Sequence, residues 1–252
     1  IDANNWKILN SYNNIQETDE IHLTWSNVNI QWNLLTWEWW WIVSLSWWYD
    51  NNKNYLMDFS KKTYVYNLDW NTRPDYRNYS NNSSTNWGTW DPAAISANKN
   101  TFYTMQFLLN TFNYNLKQYY NTRKNWWFQI IIHVWINDAN AYYNSYDRSI
   151  YIWDWDWVES NSLGTLDIIA HEIGHFVTDM SSALIYQRES WALNESFSDI
   201  LWVNTEFEYQ NDWTNSYPSK TPWKSDWLIG EDARLETIAL RDMKNPKNIV
   251  TI

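Results

Sequence analysis

The residues best suited to chemistry in this chain are His171, Glu172 and His175, which lie within five consecutive positions. Residues four apart on a helix share one face about one turn apart, so both imidazoles can reach a single ion. Glu172 directly follows the first histidine, where it can take a proton from an attacking water. Zinc accepts two imidazoles and one carboxylate and leaves a fourth position open. The spacing therefore predicts a zinc centre with its own base, and a helix with two structural histidines is the competing interpretation.

A third ligand has to come from elsewhere in the chain, and Glu195 follows His175 by 20 residues. On a helix, Glu195 and Asp199 share a face. Glu195 can then bind the ion while Asp199 accepts the outer N–H of a ligand histidine. Such a bond fixes the tautomer of the histidine and raises its basicity. Two solvated acids on a surface helix are the alternative, but the pairing of these acids downstream of the histidines favours the metal site.

Helices and strands must bring these residues together, and the hydrophobic period predicts where they lie. Pro92 suits the first turn of a helix, and Thr165 can cap another. Short runs of apolar residues between turn signals predict the strands. The predicted elements are several strands between 21 and 90, a long helix at 93 to about 120, strands at 128–135 and 149–153, and helices at 165–180, 190–209 and 234–243.

Several runs around these positions resemble the thermolysin family of zinc peptidases, whose His-Glu-x-x-His helix is followed by a glutamate ligand (the gluzincin pattern). The runs are 91–94, 140–144, 167–179, 184–187, 189–199 and 227–232, and 1–9 resembles the end of that family's prosegment. The resemblance implies an α+β fold, with a β-rich N-terminal lobe that carries the long helix, followed by helices that hold the zinc site.

The same resemblance divides the chain into three parts. Residues 1–20 would be the end of a prosegment, 21–163 the β-rich lobe, and 164–252 the zinc-binding helices with the start of a C-terminal helical lobe. Because the chain stops at Ile252 and does not begin with Met, we expect a truncated or processed form in which that last lobe is largely missing.

The resemblance also implies roles for individual residues. The implied roles are zinc ligands for His171, His175 and Glu195, a general base for Glu172, an oxyanion donor for Tyr186, substrate-backbone contacts for Asn140 and Ala141, a substrate-carbonyl contact for Arg241, and calcium ligands for Asp167, Glu206, Asp226 and Glu231. The implied activity is that of a secreted zinc endopeptidase, made as a zymogen with its own prosegment as a partner. It would cut peptide or protein substrates and favour a large apolar residue just after the cut.

The composition excludes other classes of protein. The formal net charge of −11 argues against nucleic acid as a partner, because phosphate binding needs a basic face. No apolar run reaches the ~18 residues of a membrane span, so no membrane partner is expected. Cysteine is absent, so any metal must be held by histidine and carboxylate.

The numbers of tryptophan and glycine are anomalous. The chain has 23 Trp and only 4 Gly, whereas average usage would give roughly 18 Gly. Trp6 and Trp70 follow Asn and Asp, where a turn needs φ > 0 and Gly is the usual residue. We hypothesise that many of these Trp residues stand where the organism inserts Gly. The thermolysin-like pattern supports this hypothesis, since it has Gly at positions 153, 155, 157 and 191.

Two other functions stay open on the sequence. Surface Trp residues could stack on sugars in a carbohydrate-binding module, which would need no metal. Alternatively, Trp191 lies just before Glu195 and could crowd the metal centre. The chain would then be a zinc-binding but inactive fragment or pseudopeptidase.

Overall fold

The computed structural model of the chain describes residues 30–36, 39–45, 48–50, 53–58, 63–67, 78–79, 81–82, 92–116, 128–134, 140–153, 162–210, 225–233 and 239–247. The strands are β1 (Ile30–Thr36), β2 (Trp39–Leu45), β3 (Trp48–Asp50), β4 (Lys53–Tyr55), β5 (Met57–Asp58), β6 (Thr63–Asn67), β7 (Asn78–Tyr79), β8 (Asn81–Asn82), β9 (Phe128–Val134), β10 (Ala141–Asn144), β11 (Ser149–Trp153), β12 (Leu228–Ile229) and β13 (Arg241–Asp242). The helices are α1 (Pro92–Phe112), α2 (Leu166–Ser181) and α3 (Arg188–Tyr209).

The main sheet has the strand order β10-β11-β9-β6-β5, with β7 also paired to β6. Strand β9 is parallel to both β6 and β11, while β10 is antiparallel to β11. Three smaller sheets join β1 with β2, β12 with β13, and three strands in the order β3-β4-β8. Within the described part of the main sheet, β10 has a neighbour on one side only, so its outer edge can accept an added strand.

The isoleucine run of β9 explains its place in the middle of the sheet. Ile130 and Ile132 point into the main core, whereas Ile131 packs with Tyr151 on the other face of the sheet. Both faces are covered, which is typical of a central strand with parallel neighbours. Helices α1 and α2 supply residues such as Ile95 and Phe176 to the main core. The mixture of a sheet and packed helices confirms the α+β prediction.

The long helix is shorter than the sequence predicts, because α1 ends at Phe112 and the following described residues are not helical. Asn113 adopts a left-handed backbone with φ 52°, and the Tyr114 N–H donates to the Leu108 carbonyl at 3.0 Å. Asn is one of the few residues that enter this conformation at a helix end. Apolar spacing continues past Asn113 in the sequence, which is why the pattern alone extends the helix.

The predicted helix at 234–243 is wrong in its described part. Arg241 and Asp242 form β13, paired with β12, and the flanking N–H groups of Leu240 and Met243 donate to Ile229 and Trp227 carbonyls, each at 2.7 Å. These backbone bonds hold 239–243 extended. By contrast, α2 and α3 begin and end within two residues of the predicted positions.

Several predictions fall outside the described residues. They are the prosegment at 1–20, the turns at Trp6 and Trp70, the Asp-rich turn beyond Trp153, and positions 234–238. Among the helices that the structure describes, none combines the length and the apolar character needed to cross a membrane.

Candidate active site

The two histidines of α2 and the glutamate of α3 converge on one point. The Nε2 atoms of His171 and His175 lie 3.1 Å apart. Glu195 Oε2 lies 3.3 Å from His171 Nε2, and Glu195 Oε1 lies 3.6 Å from His175 Nε2. A tetrahedral zinc ion with bonds of about 2.0–2.2 Å places its ligand atoms about 3.3–3.6 Å apart. The donor set and its spacing therefore fit zinc.

Each histidine is oriented by a polar side chain of α3. His171 Nδ1 lies 3.0 Å from Asp199 Oδ1, and His175 Nδ1 lies 2.7 Å from the carbonyl oxygen of the Asn194 side chain. Both oxygens can only accept, so each Nδ1 carries a proton, and each Nε2 faces the shared point, where it can bind a metal once it is deprotonated. Asn194 was missed by the sequence reasoning, although its place next to Glu195 is a signal that could have found it.

The close approach of α2 and α3 depends on Gly174, which lies between the two histidines. A Cβ atom at this position would lie 2.6 Å from Ser198 Cα and 2.8 Å from Ser198 Oγ. The first of these neighbours is backbone, so a side chain could fit only if the helices moved apart. Gly174 thus permits the helix contact that brings Glu195 to the histidines.

Glu172 is buried beside the ligand cluster and held by the edge strand. Its Oε2 accepts the Tyr143 N–H at 2.7 Å. Burial raises the pKa of Glu172 to about 7, although the positive charge of His171 and the bond from Tyr143 oppose the shift. A carboxyl group with a pKa near neutrality is suited to accept and return a proton at physiological pH.

Tyr186 and Arg241 approach Glu195 from opposite sides. The Tyr186 hydroxyl donates to Glu195 Oε1, and burial together with this bond raises the pKa of Tyr186 to about 12, which keeps the hydroxyl protonated. Arg241 Nη1 lies 3.3 Å from Glu195 Oε2, and its Nη2 lies 2.9 Å from Asp199 Oδ1. Burial would raise the pKa of Glu195, but hydrogen bonds from His171 and Tyr186 outweigh it and hold that pKa well below its usual range.

A cavity of about 770 Å³ opens in front of these residues. This volume is in the range of small-molecule and peptide sites. Asn140 and Ala141 line the cavity at the start of β10, and apolar side chains of Ile168, Leu184 and Leu240 line it elsewhere. The structure therefore brings Asn140, Ala141, Tyr186 and Arg241 to the cleft that holds the metal-binding residues.

Trp191 lies at the margin of the same site. Its indole N–H donates to Glu195 Oε1 at 3.1 Å, and its ring centre lies 5.5 Å from that of Tyr186. The indole N–H thus competes with a metal ion for Glu195 Oε1, the carboxylate oxygen that lies toward His175. The sequence predicted that Trp191 would crowd the metal centre, and this hydrogen bond places its indole on the carboxylate of Glu195.

A second cluster of acids lies behind the metal centre. Carboxylate oxygens of Glu206, Asp226 and Glu231 lie within 4.8 Å of one another. Asp167 is fully buried, and its Oδ2 accepts the Gly230 N–H at 2.5 Å. Gly230 has φ 86°, which a residue with a side chain rarely adopts.

The charges of this cluster are poorly compensated by the described protein groups. Burial, and then the charge of Asp167, raise the pKa of Glu206 and of Glu231 to about 10. Asp167 Oδ1, Glu206 Oε2 and Glu231 Oε2 are buried and have no hydrogen-bond partner among the described residues. Asp232 is a fifth member that the sequence reasoning missed, and burial raises its pKa as well. Oxygen-only ligands in this number suit calcium.

The sequence matches two family descriptions. Residues 41–179 match "Thermolysin metallopeptidase, catalytic domain" and residues 182–251 match "Thermolysin metallopeptidase, alpha-helical domain". Bacillolysin of Bacillus cereus is 36% identical over 161 residues, which are 62% of this chain and 25% of that protein. Thermolysin of Alicyclobacillus acidocaldarius subsp. acidocaldarius is 41% identical over 86 residues, which are 33% of this chain and 14% of that protein.

A solved structure is similar as well. The precursor of protealysin, a metalloproteinase from Serratia proteamaculans, has a TM-score of 0.55 and 24% identity, covering 72% of this chain and 52% of that one. That likeness concerns the fold. The matched segment spans a quarter or less of each of these two curated relatives. The family match, in contrast, extends over more than half of the sequence, so this chain belongs to the thermolysin metallopeptidase family.

Proposed function

We propose that this chain is the catalytic part of a zinc-dependent endopeptidase, with Glu172 as general base. The observation that carries the proposal is the convergence of His171, His175 and Glu195, whose ring nitrogens and carboxylate oxygens approach one another at 3.1–3.6 Å. When bound at this point, zinc would supply a Lewis acid that polarises a carbonyl and makes water a stronger acid.

The protein groups around this point have distinct tasks in peptide hydrolysis. Glu172 takes the proton of the attacking water and returns it to the leaving amine. Tyr186 donates a hydrogen bond to the oxygen that gains negative charge in the transition state, and Arg241 contacts a substrate carbonyl. Asn140 and Ala141 bind the substrate backbone along the outer edge of β10. Asp199 and Asn194 keep both histidines in the tautomer that leaves Nε2 free.

The finer features of the proposal come from the resemblance and from the lining of the cleft. The apolar side chains of Ile168, Leu184 and Leu240 support a preference for a large apolar residue just after the cut. Export from the cell and synthesis as a zymogen with a prosegment are part of the same proposal. Calcium would occupy the cluster of Asp167, Glu206, Asp226 and Glu231 and stabilise the fold rather than take part in the reaction.

A second candidate is a zinc-binding pseudopeptidase, and Trp191 supports it. Its indole N–H and the Tyr186 hydroxyl both donate to Glu195 Oε1. A ligand oxygen that already accepts two hydrogen bonds is a weaker metal ligand. The two candidates differ in turnover and agree in metal content.

Replacement of Glu172 by Gln tests the proposed function. The purified chain, loaded with zinc, is assayed with quenched peptides that vary the residue after the cut, and its zinc content is measured by mass spectrometry. We expect one zinc per chain in both proteins and a loss of cleavage of about 10²–10⁴-fold in Glu172→Gln. Glu208→Gln, on the exposed surface of α3, is the matched control. Equal cleavage by Glu172→Gln and the parent chain would contradict the assignment, and zinc without any cleavage would favour the pseudopeptidase.

A further inference from the structure

Tyr143 contacts α2 at three points that lie along one face of the helix. Its N–H donates to Glu172 Oε2 at 2.7 Å, its ring packs edge-on against Phe176 with centres 5.7 Å apart, and its hydroxyl donates to Asp179 Oδ2 at 2.9 Å. Glu172, Phe176 and Asp179 are four and seven residues apart, so they follow one face over about 10 Å. One residue of β10 thus contacts two turns of the helix that carries the base.

The bond at the far end of Tyr143 is of a strong kind. Burial, and then the charge of Asp179, raise the pKa of Tyr143 well above its ordinary value. The hydroxyl therefore stays protonated and donates to a carboxylate, and such bonds to a charged acceptor are roughly twice as strong as bonds between neutral groups. Phe176 is fully buried, so the middle contact is fixed by the core.

The position of β10 needs such a contact because the strand is short and lies at the edge. In the described part of the sheet only β11 pairs with it, through the register Ala141 to Ile152 and Asn144 to Ser149. On the other side, toward the helix, Tyr143 supplies both the hydrogen bond to Glu172 and the bond to Asp179. A shift of the strand would therefore move Glu172 and the substrate edge relative to each other.

We propose that Tyr143 and Asp179 are positioning residues, which fix β10 against α2 so that a peptide bound on β10 lies at a set distance from the Glu172 carboxylate. This proposal rests on the proposed peptidase function. The backbone N–H of Tyr143 holds Oε2 of Glu172, which leaves Oε1 to accept the proton. Proximity of this kind has large effects on rate, since small misplacements of reacting groups are costly.

The chain offers a matched control on the same strand. Tyr142 is the neighbour of Tyr143 and points to the opposite face of the sheet, where its ring stacks on Tyr151 at 4.9 Å. Alternation along a strand places the two side chains on opposite faces of the sheet. Tyr142→Phe and Tyr143→Phe therefore remove the same atom from opposite faces of β10.

The experiment compares Tyr143→Phe, Asp179→Ala, Asp179→Asn, the double variant Tyr143→Phe/Asp179→Ala and Tyr142→Phe, all loaded with zinc. We expect Tyr143→Phe and Asp179→Ala each to lower kcat about tenfold with little change in KM, because a bond to a charged acceptor is lost. The double variant should also lose about tenfold, since the two changes remove one interaction. Asp179→Asn keeps an acceptor and should recover much of the rate, and Tyr142→Phe should stay within about twofold of the parent chain.

Amide hydrogen exchange of 140–145 gives a readout that needs no turnover. We expect faster exchange in Tyr143→Phe and Asp179→Ala, but not in Tyr142→Phe, because only the first two release β10 from α2. If the kcat losses of the two single variants multiply in the double variant, the proposal is overturned. It is also overturned if amide exchange in Tyr143→Phe and Asp179→Ala matches that of the Tyr142→Phe control. If the parent chain cleaves no peptide while the exchange pattern appears, the peptidase function fails and the placement of β10 by this pair stands.

Discussion

The metal centre and the acid cluster both bury carboxylates, but they shift the pKa of those carboxylates in opposite directions. Glu195 has His171, Arg241 and Tyr186 as partners, and its pKa lies below the ordinary value. Glu206 has the Asp226 N–H as a partner but lies near other acids, and its pKa lies far above. A buried glutamate is therefore either ionised and able to bind a metal or unfavourable as an anion, depending on its partners. The first site is completed by its own side chains, and the second has no positive charge among the described side chains that act on it.

The largest effect is expected when a cation supplies positive charge to the acid cluster. Glu206 and Glu231 have an ordinary pKa of 4.5 and a folded pKa of about 10. Between these values the folded chain holds protons on these two groups that the unfolded chain has lost, so their contribution to stability is fullest below about pH 4.5 and falls as the pH rises through this window. Calcium binds the ionised carboxylates and should remove the decline.

Thermal unfolding with and without calcium tests this prediction. At 100 times its Kd, a ligand of the folded state adds about 2.7 kcal/mol, or several degrees in Tm. We expect that gain near pH 8 and little gain near pH 5. Glu206→Gln/Glu231→Gln should lose the calcium response, whereas Glu208→Gln should keep it. An equal calcium response at both pH values would show that the cluster is not the site.

A smaller effect is expected from removing one partner in the metal centre. Asp199→Ala deprives the His171 N–H of its acceptor and Arg241 of an ion pair. Loss of such an outer partner typically lowers metal affinity 10–100-fold. Competition with a chromogenic zinc chelator measures the change, with Asn204→Ala on the exposed side of α3 as the control. An unchanged affinity would mean that Asp199 does not orient the ligand.

The smallest effect is expected at the helix contact itself. Gly174→Ala gains up to about 1 kcal/mol in helix propensity, but the new Cβ would lie 2.6 Å from Ser198 Cα, and overpacking of this kind costs about 1–3 kcal/mol. We expect a net loss of about 1 kcal/mol in the free energy of unfolding and weaker zinc binding, measured by urea denaturation and chelator competition. Higher stability with unchanged zinc affinity would show that the helices can separate at no cost.

The sequence predicted the local parts of the site better than the packed parts. The helices that carry His171 and Glu195 follow from spacing along one element, and the structure has both. The end of α1 at Asn113 depends on a left-handed residue, which apolar periodicity does not show. Asn194 and Tyr143 act through contacts between different elements, and no spacing rule connects Tyr143 with Asp179, 36 residues along the chain.

The hypothesis that many Trp positions are Gly in the organism stays a prediction. Two buried tryptophans differ in whether the indole N–H has a hydrogen-bond partner. Trp202 is fully buried and donates its N–H to Asp199 at 3.1 Å. Trp153 is also buried, but its N–H has no partner among the described residues. Peptide mass spectrometry of the native protein should find Gly at positions 6, 153 and 155. Indole masses at these positions would end the hypothesis.

The short pairing of β12 with β13 has a consequence for communication across the molecule. Strand β12 is flanked by Asp226 and Glu231 of the acid cluster and by Gly230, whose N–H donates to Asp167, while β13 begins with Arg241, which reaches Glu195 and Asp199. A cation bound by the acid cluster that stiffens β12 therefore also restrains β13 and the Arg241 guanidinium. By thermodynamic reciprocity, calcium and zinc should then change each other's affinity by one common factor, and a zinc titration at low and high calcium would measure it.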